Sequence, residues 1–424
     1  MRRSRLKIFS GIFVCVFLFG IFAFIPRVFP EGSTVPDKLW KIQSIDTMKT
    51  SRDKARQELN NTDYDTNIKT ELGLIKDTGA NYVAIDTPYD NEFKPYLKRW
   101  VKYARDAGLH VWFRGNWSAW EGWFDYPKNL TPEEHIAKTS EFIKNNPDLF
   151  ADKDIFDACP ECENAHYWPQ PAKNEEYLAF LRKQQASDQA AFATIHKNVH
   201  TNIASVIGGR AKEVMDQDTI NAYENVVSID HYVKNTRSMS DYLHYFPTKL
   251  NSKVVISEFG APIPDINGDM SEDQQANFIN AIFATFYQNK DTILGVNYFV
   301  LMDGTTKLLN DDYSLRKAYQ IVKNYYSPGI IKGQVTNSHG DPLANVPIKS
   351  PEGLVNVRTD ENGNYSFAMP PGSITLIAGG GKYTIKNKEA MIATSATEVT
   401  QNFQLDPINP DIFYKISDYL HKII

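Results

Sequence analysis

Val254-Val255-Ile256-Ser257-Glu258-Phe259-Gly260 sets three consecutive branched apolar residues directly before a hydroxyl, a carboxylate, an aromatic and a glycine. Parallel sheets are covered on both faces, so such a run reads as a strand buried on both sides. A Glu closing so apolar a strand must be desolvated, paired or used. If paired, it is a salt-bridged strand end. If used, it is a carboxylate presented at the carboxyl end of a parallel strand, where α/β folds place their chemistry.

Working outward, the same grammar repeats. Strands fit Leu39–Ile45, Tyr82–Ile85, Leu109–Phe113, Ile155–Cys159, Ile203–Ile207, Val226–Ile229, Val254–Ile256 and Leu294–Val300. Helical stripes alternate with them. Ile68, Leu72 and Ile75 form one that stops at Gly79, and Leu97, Val101 and Ala104 form another that stops at Gly108. Thr131-Pro132-Glu133-Glu134 opens a helix with a cap, a proline and a returning Glu, and Ser271 with Gln274 repeats the device. The longest helix is expected over 174–199, with Phe192, Ile195 and Val199 on one face. Eight strand–helix units predict an α/β fold, a closed (β/α)8 barrel of the TIM type over 39–328. No Gly-x-Gly-x-x-Gly or phosphate loop stands at a strand end, which argues against a nucleotide site.

The rest of the 424 residues frames this barrel. Arg2, Arg3, Arg5 and Lys7 precede Ile8–Ile25, a run without a charge that is just long enough to span a bilayer. An uncleaved signal anchor over 1–28 is expected, with a linker at 29–38 and everything after Arg27 outside the cytoplasm. A cleaved signal peptide would leave the chain secreted, but its apolar region is usually shorter and no good Ala-x-Ala site follows. With a formal charge of −5 and no basic stripe beyond the first residues, nucleic acid is not an expected partner.

From Ile330 the pattern changes to short alternating strands between turns, which is β-sandwich grammar. Gly333-Gln334-Val335, Gly340-Asp341-Pro342-Leu343-Ala344, Thr359-Asp360-Glu361-Asn362-Gly363-Asn364-Tyr365 and Met369-Pro370-Pro371-Gly372 follow in order. This segment, 329–405, resembles the carboxypeptidase regulatory-like (prealbumin-like) domain, which implies a small non-catalytic spacer or binding accessory. The tail 406–424 carries Ile412, Phe413, Ile416, Leu420 and Ile423 at helical spacing and predicts a short amphipathic helix.

Catalytic groups in such a barrel stand just past the strand ends. Strand four supplies Asp157-Ala158-Cys159-Pro160-Glu161-Cys162-Glu163-Asn164, strand six supplies Asp230, His231 and Tyr232, and strand seven supplies Glu258. Two carboxylates facing across the mouth are what glycosidic cleavage needs, one to protonate the leaving oxygen and one to attack or to activate water. Ile256-Ser257-Glu258-Phe259-Gly260 resembles the nucleophile strand of the retaining glycoside hydrolases of clan A, the cellulase and mannanase superfamily. That resemblance implies a nucleophile at Glu258, an acid/base at Glu161, an oligo- or polysaccharide substrate and no cofactor. His231 and Tyr232 fit the groups that orient such a nucleophile.

This chain departs from the clan pattern in three places. Pro160 replaces the Asn that usually precedes the acid, so Glu163, followed by Asn164, competes with Glu161 for that role. Strand two lacks the usual Arg, and Arg114 stands in by pairing with Glu258. Asn297-Tyr298-Phe299 ends strand eight where a Trp platform is common, with Tyr298 as a candidate; Asn116, Trp117 and Trp168 are further candidates to bind sugar and Trp120 another stacking surface, each Trp being as readily loop packing as a subsite. Two other functions use the same barrel: a catalytically inactive carbohydrate-binding protein, and a transglycosylase. Cys159 and Cys162 read as a disulfide or buried thiols stiffening the loop. A redox pair would want a helix N-terminus, and a zinc site needs further ligands, for which His166 and Glu163 are near. No metal is expected.

Overall fold

The computed structural model describes residues 38–164, 167, 174–409, 415 and 419. The segment expected to be an anchor, Trp168, and nearly all of the expected C-terminal helix lie outside them. Among the described residues no helix is long and apolar enough to cross a membrane.

The eight strands are β1 (Ile42–Asp46), β2 (Tyr82–Ile85), β3 (His110–Phe113), β4 (Ile155–Phe156), β5 (Ser205–Ile207), β6 (Val226–Asp230), β7 (Lys253–Phe259) and β8 (Ile293–Tyr298). They form one sheet in the order β4-β3-β2-β1-β8-β7-β6-β5. Every neighbouring pair is parallel. Its ends meet at a seam, where Ile155 bridges His200 and the Phe156 N–H donates to the His200 carbonyl at 2.9 Å. β4 stops at Phe156, short of the expected Cys159, because the Asp157 carboxylate takes the next rung. It accepts from the Ser205 N–H at 3.1 Å and from the Ser205 hydroxyl at 2.5 Å.

Side-chain alternation sorts the strands into two faces. Outward residues such as Ile45, Val83, Ile85, Val111, Ile229, Val254 and Ile256 pack under helical Ile68, Leu72, Ile75, Leu97 and Val101. Inward, Ile42, Tyr82, Ala84, Trp112, Ile155, Val226 and Val255 fill the lower half of the barrel as a separate apolar cluster. Above them the inward positions turn polar. Asp46, Asp86, Arg114, Asp157, Asp230 and Asn297 are all buried. A dry floor under a polar rim is what gives the mouth its chemistry.

Both expected capping boxes form, at Thr131 with Glu134 and at Ser271 with Gln274. Gly79 closes the helix Asp65–Asp77 with φ of +92°. Any Cβ there would also lie 2.5 Å from the Tyr326 carbonyl, so only glycine lets that helix end meet the last barrel helix. The long helix runs Asn174–Thr194, shorter than expected. A turn with His196 at φ +53° leaves Ile195 and Val199 beyond its end.

After the helix Lys317–Tyr326 the chain builds two small four-stranded sheets. Ile331, Val335, Ile348, Tyr365, Phe367 and Leu376 are buried among them. Their loops touch the barrel's outer layer, where Lys290 Nζ donates to the Leu354 carbonyl at 2.7 Å.

Candidate active site

Glu258 reaches the mouth because β7 is irregular. Register runs Ile229↔Ile256 and then Asp230↔Glu258, so one extra residue is inserted at Ser257. Val255 points inward, and strict alternation would send residue 258 out into the helix layer. The bulge re-aims it, a use that bulges often serve beside active sites. Glu258 is buried, and both its oxygens are held. Arg114 Nη2 lies 3.0 Å from Oε1, and the Tyr232 hydroxyl donates to Oε2 at 2.7 Å.

Arg114 organises the rim. Its Nη1 donates to Asp46 Oδ2 at 3.1 Å and to the Ser257 carbonyl at 3.1 Å, and its Nη2 donates to Asp230 Oδ2 at 3.1 Å. Burial opposes its charge, yet Asp230, Glu258 and Asp46 hold the guanidinium well above its ordinary range. Asn297 braces the assembly, donating to Asp46 Oδ2 and to the Ser257 carbonyl. Asp46 and Asp230 are themselves raised, chiefly by burial, so their charge depends on this one cation. Replacing Arg114 with Met leaves these carboxyls buried without a counter-charge, at an expected cost of about 3–5 kcal/mol. A carboxyl whose folded pKa exceeds its unfolded value loses stability as pH rises between the two. The Tm deficit of Arg114→Met is therefore expected to be larger at pH 8 than at pH 5; an equal deficit at both would refute the charge argument.

Glu161 stands on the loop after β4 with φ of +51°, its N–H donating to the Ser205 carbonyl at 2.9 Å. Burial raises its pKa to about 8, and the neighbouring charges of Glu258 and then Glu163 add to this. The β4 and β7 carboxyls therefore stand within electrostatic reach of one another. Glu163 is held by donors of its own. Its Oε1 accepts from the Ile207 N–H at 2.6 Å and its Oε2 from the Tyr177 hydroxyl at 3.0 Å. Burial raises it too, against those two donors.

The structure places the other expected sugar-binding residues in packed surroundings. Asn116 is fully buried and spends all its polar atoms within the fold. Nδ2 donates to Glu121 Oε1 and Cys159 Sγ, and Oδ1 takes the Trp117 N–H and faces His135 Nε2. Trp117 is buried against Tyr89 and Phe142 with its Nε1–H on Thr139. Trp120 is buried between His135 and Phe180. Tyr298 points outward, its hydroxyl on the Thr306 carbonyl and its ring against Phe259. The His231 ring leaves the site to stack on Tyr242, in space kept open by Gly208; only its backbone N–H serves Glu258, at the carbonyl.

Phe299, beside Tyr298 in the Asn297-Tyr298-Phe299 strand end, is the aromatic that takes the inward position. It is half-buried, 6.2 Å from the Tyr232 ring, at the mouth. Asn297 pointing inward already implies this by the period of two. Asp46, inward like Ile42 and Ser44, was legible the same way. Glu121 is a further carboxyl beside the rim, raised by burial to about 7.

Cys159 and Cys162 form a disulfide. His135 and the two sulfurs lie with donor atoms within 4.8 Å of one another. The fit to a metal is poor, since the sulfurs are bonded to each other and both His135 nitrogens face amide oxygens of Gln184 and Asn116 at 2.9 Å.

The architecture is an eight-stranded parallel (β/α)8-type barrel with an appended β-domain. Residues 330–406 match the carboxypeptidase regulatory-like domain. Among solved structures, GH5_18 from Streptomyces cattleya in complex with GlcNAc is similar at 12% identity and a TM-score of 0.50, over 72% of this chain and 86% of that one. An endoglucanase aligns at 11% identity and 0.49, over 67% and 97%. Endoglucanase Cel5A from Thermotoga maritima aligns at 11% and 0.46, over 68% and 98%. At these identities the likeness is one of fold. No curated protein matches the chain.

Proposed function

We propose that this protein is a retaining glycoside hydrolase acting on β-linked glycans, with Glu258 as nucleophile and Glu161 as acid/base. The observation that carries the reading is the contrast between the two carboxyls. One is clamped by a buried cation and a phenol at a strand end, and the other, half-buried on the loop after β4, has its pKa pushed up to about 8 by burial and by the charge of the first. That is the division of labour double displacement requires. Glu258 attacks the anomeric carbon as Glu161 gives its proton to the departing oxygen. Glu161 then takes a proton from the water that frees the glycosyl-enzyme. Tyr232 and Arg114 hold the attacking carboxylate in one orientation, and Phe299 offers a face to the sugar ring.

The cationic Arg2–Lys7 stretch before the charge-free Ile8–Ile25 run supports placing this activity outside the cytoplasm on a membrane anchor. The decisive test is stereochemical. Proton NMR of the first product from a β-linked aryl oligosaccharide is expected to show the β-anomer. An initial α-anomer would remove the nucleophile role from Glu258.

A further inference from the structure

We infer that the Cys159–Cys162 disulfide is a positioning clamp that holds Glu161 in its catalytic pose; this rests on the function just proposed. Of the two residues between the bridged cysteines, Pro160 and Glu161, the second is the acid itself, and its backbone sits at φ +51°. For a residue with a Cβ this region is disfavoured, and it persists only where the surroundings impose it. Here they do. The two Cα atoms are held 5.3 Å apart by the bridge. Within that span the Glu161 N–H is fixed to the Ser205 carbonyl at 2.9 Å, and its own carbonyl accepts from the Asn164 N–H at 3.0 Å.

The clamp is anchored from behind. Asn116 Nδ2 donates to Cys159 Sγ at 3.3 Å, Asn116 Oδ1 faces His135 Nε2 at 2.9 Å, and His135 Nδ1 faces Gln184 Oε1 at 2.9 Å. This buried chain ties the loop to the helices Pro132–Asn145 and Asn174–Thr194. It also explains why Asn116 is buried beside the site without facing it. A ring this short removes little freedom from the unfolded chain, since the effect grows with loop length. Its consequence is therefore local, on the direction in which one carboxyl points. Both sulfurs are buried, so the bridge works as a fixed part and not as a surface redox sensor.

Two versions of the full chain test this. In one, Cys159→Ser and Cys162→Ser are combined. In the other, a phosphine reductant breaks the sulfur–sulfur bond; the phosphine gives two electrons, water gives two protons to the two thiols and its oxygen to the phosphine, which leaves as its oxide. In both, kcat on an aryl β-glycoside is expected to fall roughly tenfold to hundredfold with KM nearly unchanged. The alkaline limb of the pH profile should move to lower pH as Glu161 reaches water. Reoxidation should restore the reduced wild type and leave the Ser variant unaffected. Unchanged kcat and pH limb in the Ser variant would overturn the clamp. Hydrogen exchange at the Glu161 amide reads the same point without substrate. Protection lost in the Ser variant supports the clamp, and protection kept overturns it. A wild type that cleaves no glycan would instead count against the proposed function, and the exchange result would still stand.

Discussion

Glu258→Gln is expected to lose about 10⁴-fold or more in kcat, on the order of 5 kcal/mol of barrier, while remaining folded. The amide keeps the size and the acceptor oxygen of the carboxylate, so Arg114 still meets an oxygen 3.0 Å away and retains Asp46 and Asp230 as partners. What disappears is the negative charge that forms the bond to the anomeric carbon. A second readout separates this from misfolding. The Glu258 charge helps hold the Glu161 proton, so removing it should lower the Glu161 titration midpoint from about 8, followed by carbon NMR of labelled Glu. Burial is the larger cause and stays, so the midpoint should remain above the ordinary carboxyl value. Full hydrolysis by Glu258→Gln, or an unmoved Glu161 midpoint, would break the proposed pairing.

Why the sequence announced Glu258 but not its orientation is a matter of register. The apolar run before it identified a buried parallel strand, and a carboxylate at that end needed a partner. The partner, Arg114, was legible because it too ends a strand. The bulge at Ser257 was not, because nothing in Ile-Ser-Glu-Phe distinguishes a regular strand from one carrying an extra residue. The same limit explains the aromatic residues. Tyr298 and Phe299 are equally apolar as letters, and only their parity relative to Asn297 decides which faces the mouth. Trp117 and Trp120 cluster after a strand end, which fits a binding surface and loop packing equally. They lie beneath the helix Pro132–Asn145, whose packing no local pattern reports. Capping boxes and the Gly79 helix stop were predictable because their causes lie within a few residues.

Glu161 and Glu163 lie on one loop, and their substitutions are expected to fail in opposite ways. Glu161→Gln should cost ~10²–10⁴-fold in kcat on glycosides with poor leaving groups, and much less where the departing phenol is acidic enough to leave unaided. General acid catalysis needs the protonated carboxyl, so wild-type activity should fall as pH rises through about 8, and that limb should vanish in Glu161→Gln. Glu163→Gln meets a different problem. Its two oxygens accept from the Ile207 N–H and the Tyr177 hydroxyl. An amide has only one oxygen, so its NH2 must face one of those donors in a buried setting. Leaving such a group unpaired costs about 1–3 kcal/mol, so Tm should drop while kcat at low temperature stays near wild type. If instead Glu163→Gln erased the alkaline limb and Glu161→Gln only lowered Tm, the two roles would be exchanged. The fixed hydrogen bonds of Glu163 would then have to open during turnover.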